Sequence, residues 1–487
     1  MRQLTDRALE TAAARGASYA DVRIVRQTSQ QITVRNGVVQ QLGENESRGF
    51  GVRVVVDGAW GFASSHVTSN DEADRVAALA VEIARASAST NVDAVHLGPP
   101  EVQVDTYHTP VEIDPFTVPL EDKIELLLAA DNEARKVAGV MVATGRMRFL
   151  CEEKTFASSE GSFIQQAIVE SGLGMSAVAV SKGEMQRRSY PNSLDMHQET
   201  GGYEVIGRWD LAGNAARVAE EAVALLTAPP CPSKVTTLIL DGPQLALQIH
   251  ESCGHPIELD RVFGTEASYA GTSFLTPEKL GAFRYGSEQV NITADAVTPR
   301  ALGTYGYDDE GVPAQRTDIV KAGRFVGYLT SRETASALHR QLPEAPERSN
   351  GCMRASGWNR IPLIRMPNVS LTPGTWTLED LIADTDDGIY MITNKSWSID
   401  DRRLNFQFGT ELAYEIKGGR RGRMLRNPTY TGLTPEFWGS CDAVCNIDHW
   451  RVWGTPNCGK GQPGQAAHVA HGAAPSRFRN VRVGLLG

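Results

Sequence analysis

One short stretch constrains this chain more than any other: His250-Glu251-Ser252-Cys253-Gly254-His255, two imidazoles five positions apart with a carboxylate beside the first. On an ideal α-helix, positions four apart lie about 40° apart around the axis, whereas positions five apart diverge by about 140°. If these side chains act together, the helix carrying them must bulge or stop between the histidines. Gly254 is a poor helix former and Pro256 biases its predecessor out of the α region, so the pattern predicts His255 on an unwinding end. Upstream, residues 235–240 (VTTLIL) read as a short buried strand. Asp241 then offers an N-cap, Gly242-Pro243 a helix start, and Leu245, Ala246 and Ile249 a single apolar face.

The spacing H-E-x-x-x-H is one residue longer than H-E-x-x-H, in which two histidines bind zinc and the glutamate acts as general base. His250 and His255 are thus candidate ligands and Glu251 a candidate base. A catalytic ion usually takes three protein ligands. The third candidates are Cys253, Glu258, Asp260, Cys441, Cys445, His449, Cys458, His468 and His471. Cys253 lies between the two histidines, where three-way convergence is awkward. Cys441 and Cys445 lack a second pair and read as buried thiols on a helix. Cys458 stands out by context, in the glycine-rich turn Asn457-Cys458-Gly459-Lys460-Gly461-Gln462-Pro463-Gly464, with Lys460 near enough to favour a thiolate. It leads without excluding the others. The nominal G-x-G-x-x-G from Gly459 is interrupted by Pro463 and lacks a strand–helix context, and no phosphate loop or nucleophile elbow appears.

A chain of 487 residues exceeds one ordinary core, and Ala228-Pro229-Pro230-Cys231-Pro232 marks a boundary between residues 1–230 and 231–487. The first part reads as an α/β domain with β-hairpins, turning at Asn36-Gly37 and Asp57-Gly58. The second reads as mostly antiparallel strands packed with the His250 helix, giving an α+β protein. A formal net charge of −10 argues against a nucleic-acid partner, and the basic run 417–426 (KGGRRGRMLR) reads as a solvated hairpin. No 18-residue apolar run or secretion-type start is visible, which leads to the expectation of a cytoplasmic protein without a membrane partner. Seven cysteines do not suggest a disulfide framework. Asp308-Asp309-Glu310 and the acidic residues of 384–387 lack calcium-loop spacing and are expected to be solvated turns.

The chain resembles the TldD/PmbA family, specifically its TldD branch. The resemblance runs through SRGFGVRVVVDGAWGFASS, HESCGHPIELD, YGYDDEGVPAQRTDIVKAGRFVGYL, NGCMRASGWNRIPLIRMPNVSLTPG, LNFQFGTELAYEIKGGR and NCGKGQPG. It implies a zinc metallopeptidase with one Zn2+ per chain, held by His250, His255 and Cys458, with Glu251 as base to a zinc-activated water. It further implies unstructured peptide substrates and a dimer with a PmbA-type paralogue or with itself. Two other classes stay open. One is a peptide-binding scaffold subunit with a structural metal, closed by Cys253 or Glu258 as fourth ligand. The other is a cysteine hydrolase using Cys253 or Cys458.

Overall fold

The computed structural model describes residues 1–90, 93–193 and 196–484. It is an α+β protein, and its first half is built on one eight-stranded sheet. Tyr19–Arg35 and Val38–Val56 pair antiparallel through the Asn36-Gly37 turn, and Ala59–Ser65 returns through Asp57-Gly58. Both turns place two consecutive residues at positive φ, which asparagine, aspartate and glycine tolerate and most residues do not. Val140–Ser158 pairs with the other side of Tyr19–Arg35, and Phe163–Ser181 follows it.

Two cores share this sheet. Helices Arg2–Ala14 and Asn70–Ala88 cover one, through Leu4, Ala8, Val76 and Ala80 against Val22, Ile24 and Val52. Helices Leu120–Arg135 and Leu211–Leu225 cover the other, through Leu127 and Val218 against Ile32, Met147 and Phe149. Val22, Ile24, Ile32 and Val34 share a parity, as strand alternation requires for one buried face. The intervening parity is not solvated. Asp21 and Arg23 are buried there, against the second half of the chain.

The second half holds a six-stranded sheet and a closed ring. In the ring, Lys234–Leu240 pairs with Asp387–Ile399 and Ser476–Val483. Thr429–Leu433 joins Ser476–Val483 to Asn405–Lys417, which pairs back onto Asp387–Ile399. Such closure removes free edges. Leu238, Leu240, Phe406, Phe408, Tyr430 and Phe478 belong to the large core cluster of this half. The six-stranded sheet ends on Arg451–Lys460, which pairs only with Gln465–Ala473 within it.

Two local expectations are corrected. Cys441 stands on the strand Cys441–Val444, not on a helix. Asp308, Asp309 and Glu310 are buried rather than solvated, at 1, 0 and 5% exposure. Asp309 meets Arg23 at 3.4 Å and Lys154 at 2.8 Å, and Glu310 meets Arg53 at 3.4 Å. Charges from the first half therefore neutralise Asp309 and Glu310, while Asp308 accepts the N–H groups of Glu310, Val312 and Met353. Among the described residues no helix is long and apolar enough to cross a membrane.

Candidate metal centre

The strand Lys234–Leu240 runs straight into the helix Gly242–Ile249, with Asp241 at its N-cap and Pro243 in its first turn. Leu245, Ala246 and Ile249 bury that helix in the main core. Its polar residues are also tied down. Tyr430 Oη accepts from Gln244 Nε2 at 2.8 Å and donates to Gln248 Oε1 at 2.9 Å. Trp438 Nε1 donates to Ser252 Oγ at 2.9 Å, and Tyr285 Oη donates to the Ser252 carbonyl at 2.9 Å. The helix end is thus held rigidly before any ligand is considered.

The motif itself solves the spacing problem by underwinding locally into a wider turn. His250–Gly254 is a π-turn in which the His255 N–H donates to the His250 carbonyl, and a 3-10 turn, His255–Ile257, follows. A π-turn takes more residues per revolution, so positions five apart come back toward one side. The imidazole centroids lie 4.9 Å apart. The expected unwinding at His255 does not occur: its φ and ψ are −67° and −42°. The hydrogen-bonded turns on either side outweigh the bias from Pro256. Gly254 serves packing instead, because a Cβ there would collide with Sδ of Met366.

Cys458 arrives from the edge strand Arg451–Lys460, 203 residues away, with Sγ 3.8 Å from His255 Nε2. It lies on the strand just before the glycine-rich turn rather than in it. The strand pairing slips between Thr455 and Cys458. Arg365 anchors this segment by donating to the carbonyls of Cys458 and Gln465. One ligand atom from each of His250, His255 and Cys458 falls within 4.8 Å of the others, and all three residues are buried. Tetrahedral bonds of about 2.0 Å to nitrogen and 2.3 Å to sulfur set N and S about 3.5 Å apart, so this donor set fits an ion such as zinc.

The hydrogen-bond partners fix which nitrogens face the cluster. His471 Nδ1 lies 2.8 Å from the Val369 carbonyl, which only accepts. His471 Nδ1 therefore carries its proton, and its bare Nε2 accepts from His250 Nδ1 at 2.8 Å. Burial and the nearby His250 hold the His471 pKa well below the usual imidazole value, keeping it neutral. His255 Nδ1 donates to Glu258 Oε2 at 3.0 Å. With Nδ1 so engaged, each motif histidine has its Nε2 left to face the cluster, the nitrogen that would bind a metal. Burial raises the Cys458 pKa, but His255 and Arg365 outweigh it and hold the thiol below its ordinary value. Lys460, expected to assist that thiolate, instead pairs with Asp260 at 2.7 Å and Glu258 at 3.4 Å.

The other ligand candidates are engaged elsewhere. Cys253 is in the core, its thiol pushed up to about 12 by burial. Cys441 and Cys445 are buried thiols raised to about 12 in the same way. His449 Nε2 accepts from the Leu378 N–H at 3.2 Å, and His468 meets Glu170 at 2.5 Å. Glu258 and Asp260 share Lys460, and His471 stands behind His250. Neither Cys253 nor Glu258 joins the three-residue cluster.

Glu251 lines the same cleft, a space of about 470 Å³ shared by His250, His255, Cys458 and Arg403. Its Oε2 accepts from Arg403 Nη1 at 2.6 Å. Burial raises the Glu251 pKa, but His255, His250 and Arg403 overcome it, leaving the carboxyl below its usual range. Sequence reasoning missed Arg403 because nothing in residues 400–405 hints at a partner 152 positions upstream. Arg148, Asn192 and Met196 of the first half form part of the cleft wall, facing Trp397 and the run 454–459. A larger hollow of about 940 Å³, lined by Trp60, Phe62 and Phe263, contains none of the triad.

Comparison with known proteins supplies the lineage. Residues 233–484 match the PmbA/TldA metallopeptidase C-terminal domain, residues 20–84 its domain 1 and residues 113–227 its central domain. A metalloprotease of Methanocaldococcus jannaschii is 31% identical over 93% of this chain and 94% of its own length. A zinc metalloprotease TldD homolog of Saccharolobus solfataricus is 23% identical over 96% of this chain and 97% of its own. The crystal structure of TldE from Thermococcus kodakarensis superposes with a TM-score of 0.75 at 16% identity, covering 99% of each chain. With all three domain models in chain order, and a relative matching nearly end to end, this chain belongs to the PmbA/TldD metallopeptidase family.

Proposed function

We propose that this protein is a zinc metallopeptidase that hydrolyses unfolded or small peptides, with His250, His255 and Cys458 as ligands and Glu251 as general base. The observation that carries it is the convergence of two Nε2 atoms and one thiol beside a cleft-lining carboxylate. Two neutral imidazoles and one thiolate would leave a site charge near +1 with a divalent ion. Zinc, when bound, supplies Lewis acidity that makes water nucleophilic near neutral pH and polarises a carbonyl. Glu251 then takes the proton of the attacking water on Oε1, since Oε2 is held by Arg403, and passes it to the departing amide nitrogen. Arg403 keeps the base ionised and aimed.

An extended peptide is read as docking along the edge strand Arg451–Lys460, whose residues 454–459 all line the cleft. Main-chain pairing of that kind gives affinity with little side-chain selectivity. The working form is read as a cytoplasmic dimer, with a PmbA-type paralogue or a second copy. Metal content, paired with hydrolysis of an unstructured peptide before and after chelation, tests the assignment. Glu251→Ala is expected to keep zinc and lose cleavage by at least about 100-fold, while His250→Ala and Cys458→Ser lose zinc. Full activity in Glu251→Ala would refute the mechanism. Inhibition by a thiol alkylator with no response to chelation would point to cysteine chemistry instead.

A further inference from the structure

Arg403 has features that holding Glu251 does not explain. It occupies the tight turn between strands Asp387–Ile399 and Asn405–Lys417 at a φ of +64°, a left-handed conformation costly for a long side chain. The turn is over-determined. The Arg403 N–H donates to the Asp400 carbonyl at 2.9 Å, and Thr434 Oγ donates to the Arg403 carbonyl at 2.8 Å. The Asp400 carboxylate accepts the N–H groups of Leu404 and Asn405, at 2.8 and 3.0 Å. The N–H groups of Thr272 and Phe274 clamp the carbonyls of Asp401 and Arg402, each at 3.0 Å. This scaffold delivers one guanidinium into the cleft.

The guanidinium has five N–H groups in a fixed fork. Nη1 meets Glu251, whereas the buried Nε has no hydrogen-bond partner among the described residues. Burial lowers the Arg403 pKa and Glu251 opposes that loss, yet an arginine keeps its charge. A strained, rigidly mounted cation with unused donors, touching the base and lining the cleft, is arranged to meet negative charge that develops there.

We propose that Arg403 is a catalytic residue whose unused N–H groups bind the scissile carbonyl oxygen as it becomes an oxyanion. The assignment rests on the peptidase reading above and deepens it. As water attacks, a C–O bond forms, the carbonyl π pair moves onto oxygen, and Glu251 takes one proton. Arg403 hydrogen-bonds that oxygen without giving up a proton. On collapse the oxygen pair re-forms C=O, the C–N bond breaks with its pair on nitrogen, and the Glu251 proton follows. One water is consumed, and no redox partner is needed. Donors of this kind act on the transition state more than on the ground state.

The test compares parent, Arg403→Lys and Arg403→Asn, the last because asparagine tolerates positive φ. Each is assayed for zinc content, for kcat and KM on an unstructured peptide, and for inhibition by a peptide phosphonate that mimics the tetrahedral anion. Arg403→Asn is expected to retain zinc, lose about 10²–10³-fold in kcat with KM within about threefold, and lose phosphonate affinity in proportion. Partial rescue by added guanidinium is expected for Arg403→Asn. Equal weakening of phosphonate and peptide, or kcat within about threefold of the parent, overturns the assignment. A parent that takes up no metal and cleaves nothing sinks the peptidase reading, and this assignment with it. A zinc-loaded, active parent with an indifferent Arg403→Asn sinks this assignment alone.

Discussion

His471 shows how a residue outside the triad can set the form in which the triad is presented. It turns the Val369 carbonyl, a fixed acceptor, into an acceptor for His250, and so dictates the His250 tautomer. His471→Gln is expected to weaken zinc affinity by about 10–100-fold, measured by competition against a chelator. An affinity within threefold of the parent would show the relay to be idle. The motif residues His250, Glu251 and His255 were legible from spacing, because their relation is local. Cys458 was legible only as the leading candidate, through its glycine-rich surroundings. Arg403 and the supporting role of His471 were not, since their partners lie 152 and 221 positions away and no periodicity spans such distances.

Among the elements, the π-turn at His250–Gly254 is the one whose geometry the site depends on. Gly254→Ala adds a methyl against Met366. It is expected to cost about 1–3 kcal/mol of stability and to displace His255, weakening metal binding as well. Combining it with Met366→Ala should restore metal affinity more than stability, since the second change relieves the collision but opens a cavity. Both are read from thermal unfolding and chelator competition, and a silent Gly254→Ala would refute the packing argument. Sequence pattern found the hairpins and this helix because turn chemistry and capping are local. It required a bulge or a stop for the five-residue spacing but placed the break as unwinding at His255, since a stop and a π-turn satisfy the same angular requirement. It also left the closed ring of strands undetected, because closure depends on pairings between segments up to about 250 residues apart.

At the scale of the molecule, the two halves are joined by a buried ionic seam. Asp309 answers Arg23 and Lys154 and also accepts the Ala355 N–H at 2.7 Å. Burial raises the Asp309 pKa, but Lys154 and Arg23 more than offset it and keep the carboxyl below its ordinary value. Asp309→Ala leaves both cations buried without that counterion and is expected to destabilise by about 3–5 kcal/mol. Thermal unfolding of the metal-free protein checks this, and an unchanged midpoint would rule the seam out as a source of stability. The burial of Asp309 and Glu310 was illegible because the cations that pair with them belong to the other half of the chain. The cleft has the same split origin. Arg148, Asn192 and Met196 stand on one core, and the histidines and Cys458 on another. Aperture and triad are therefore inherited separately: mutational drift in the first half can recut the mouth of the cleft while the cradle of histidines and thiol stays as it was.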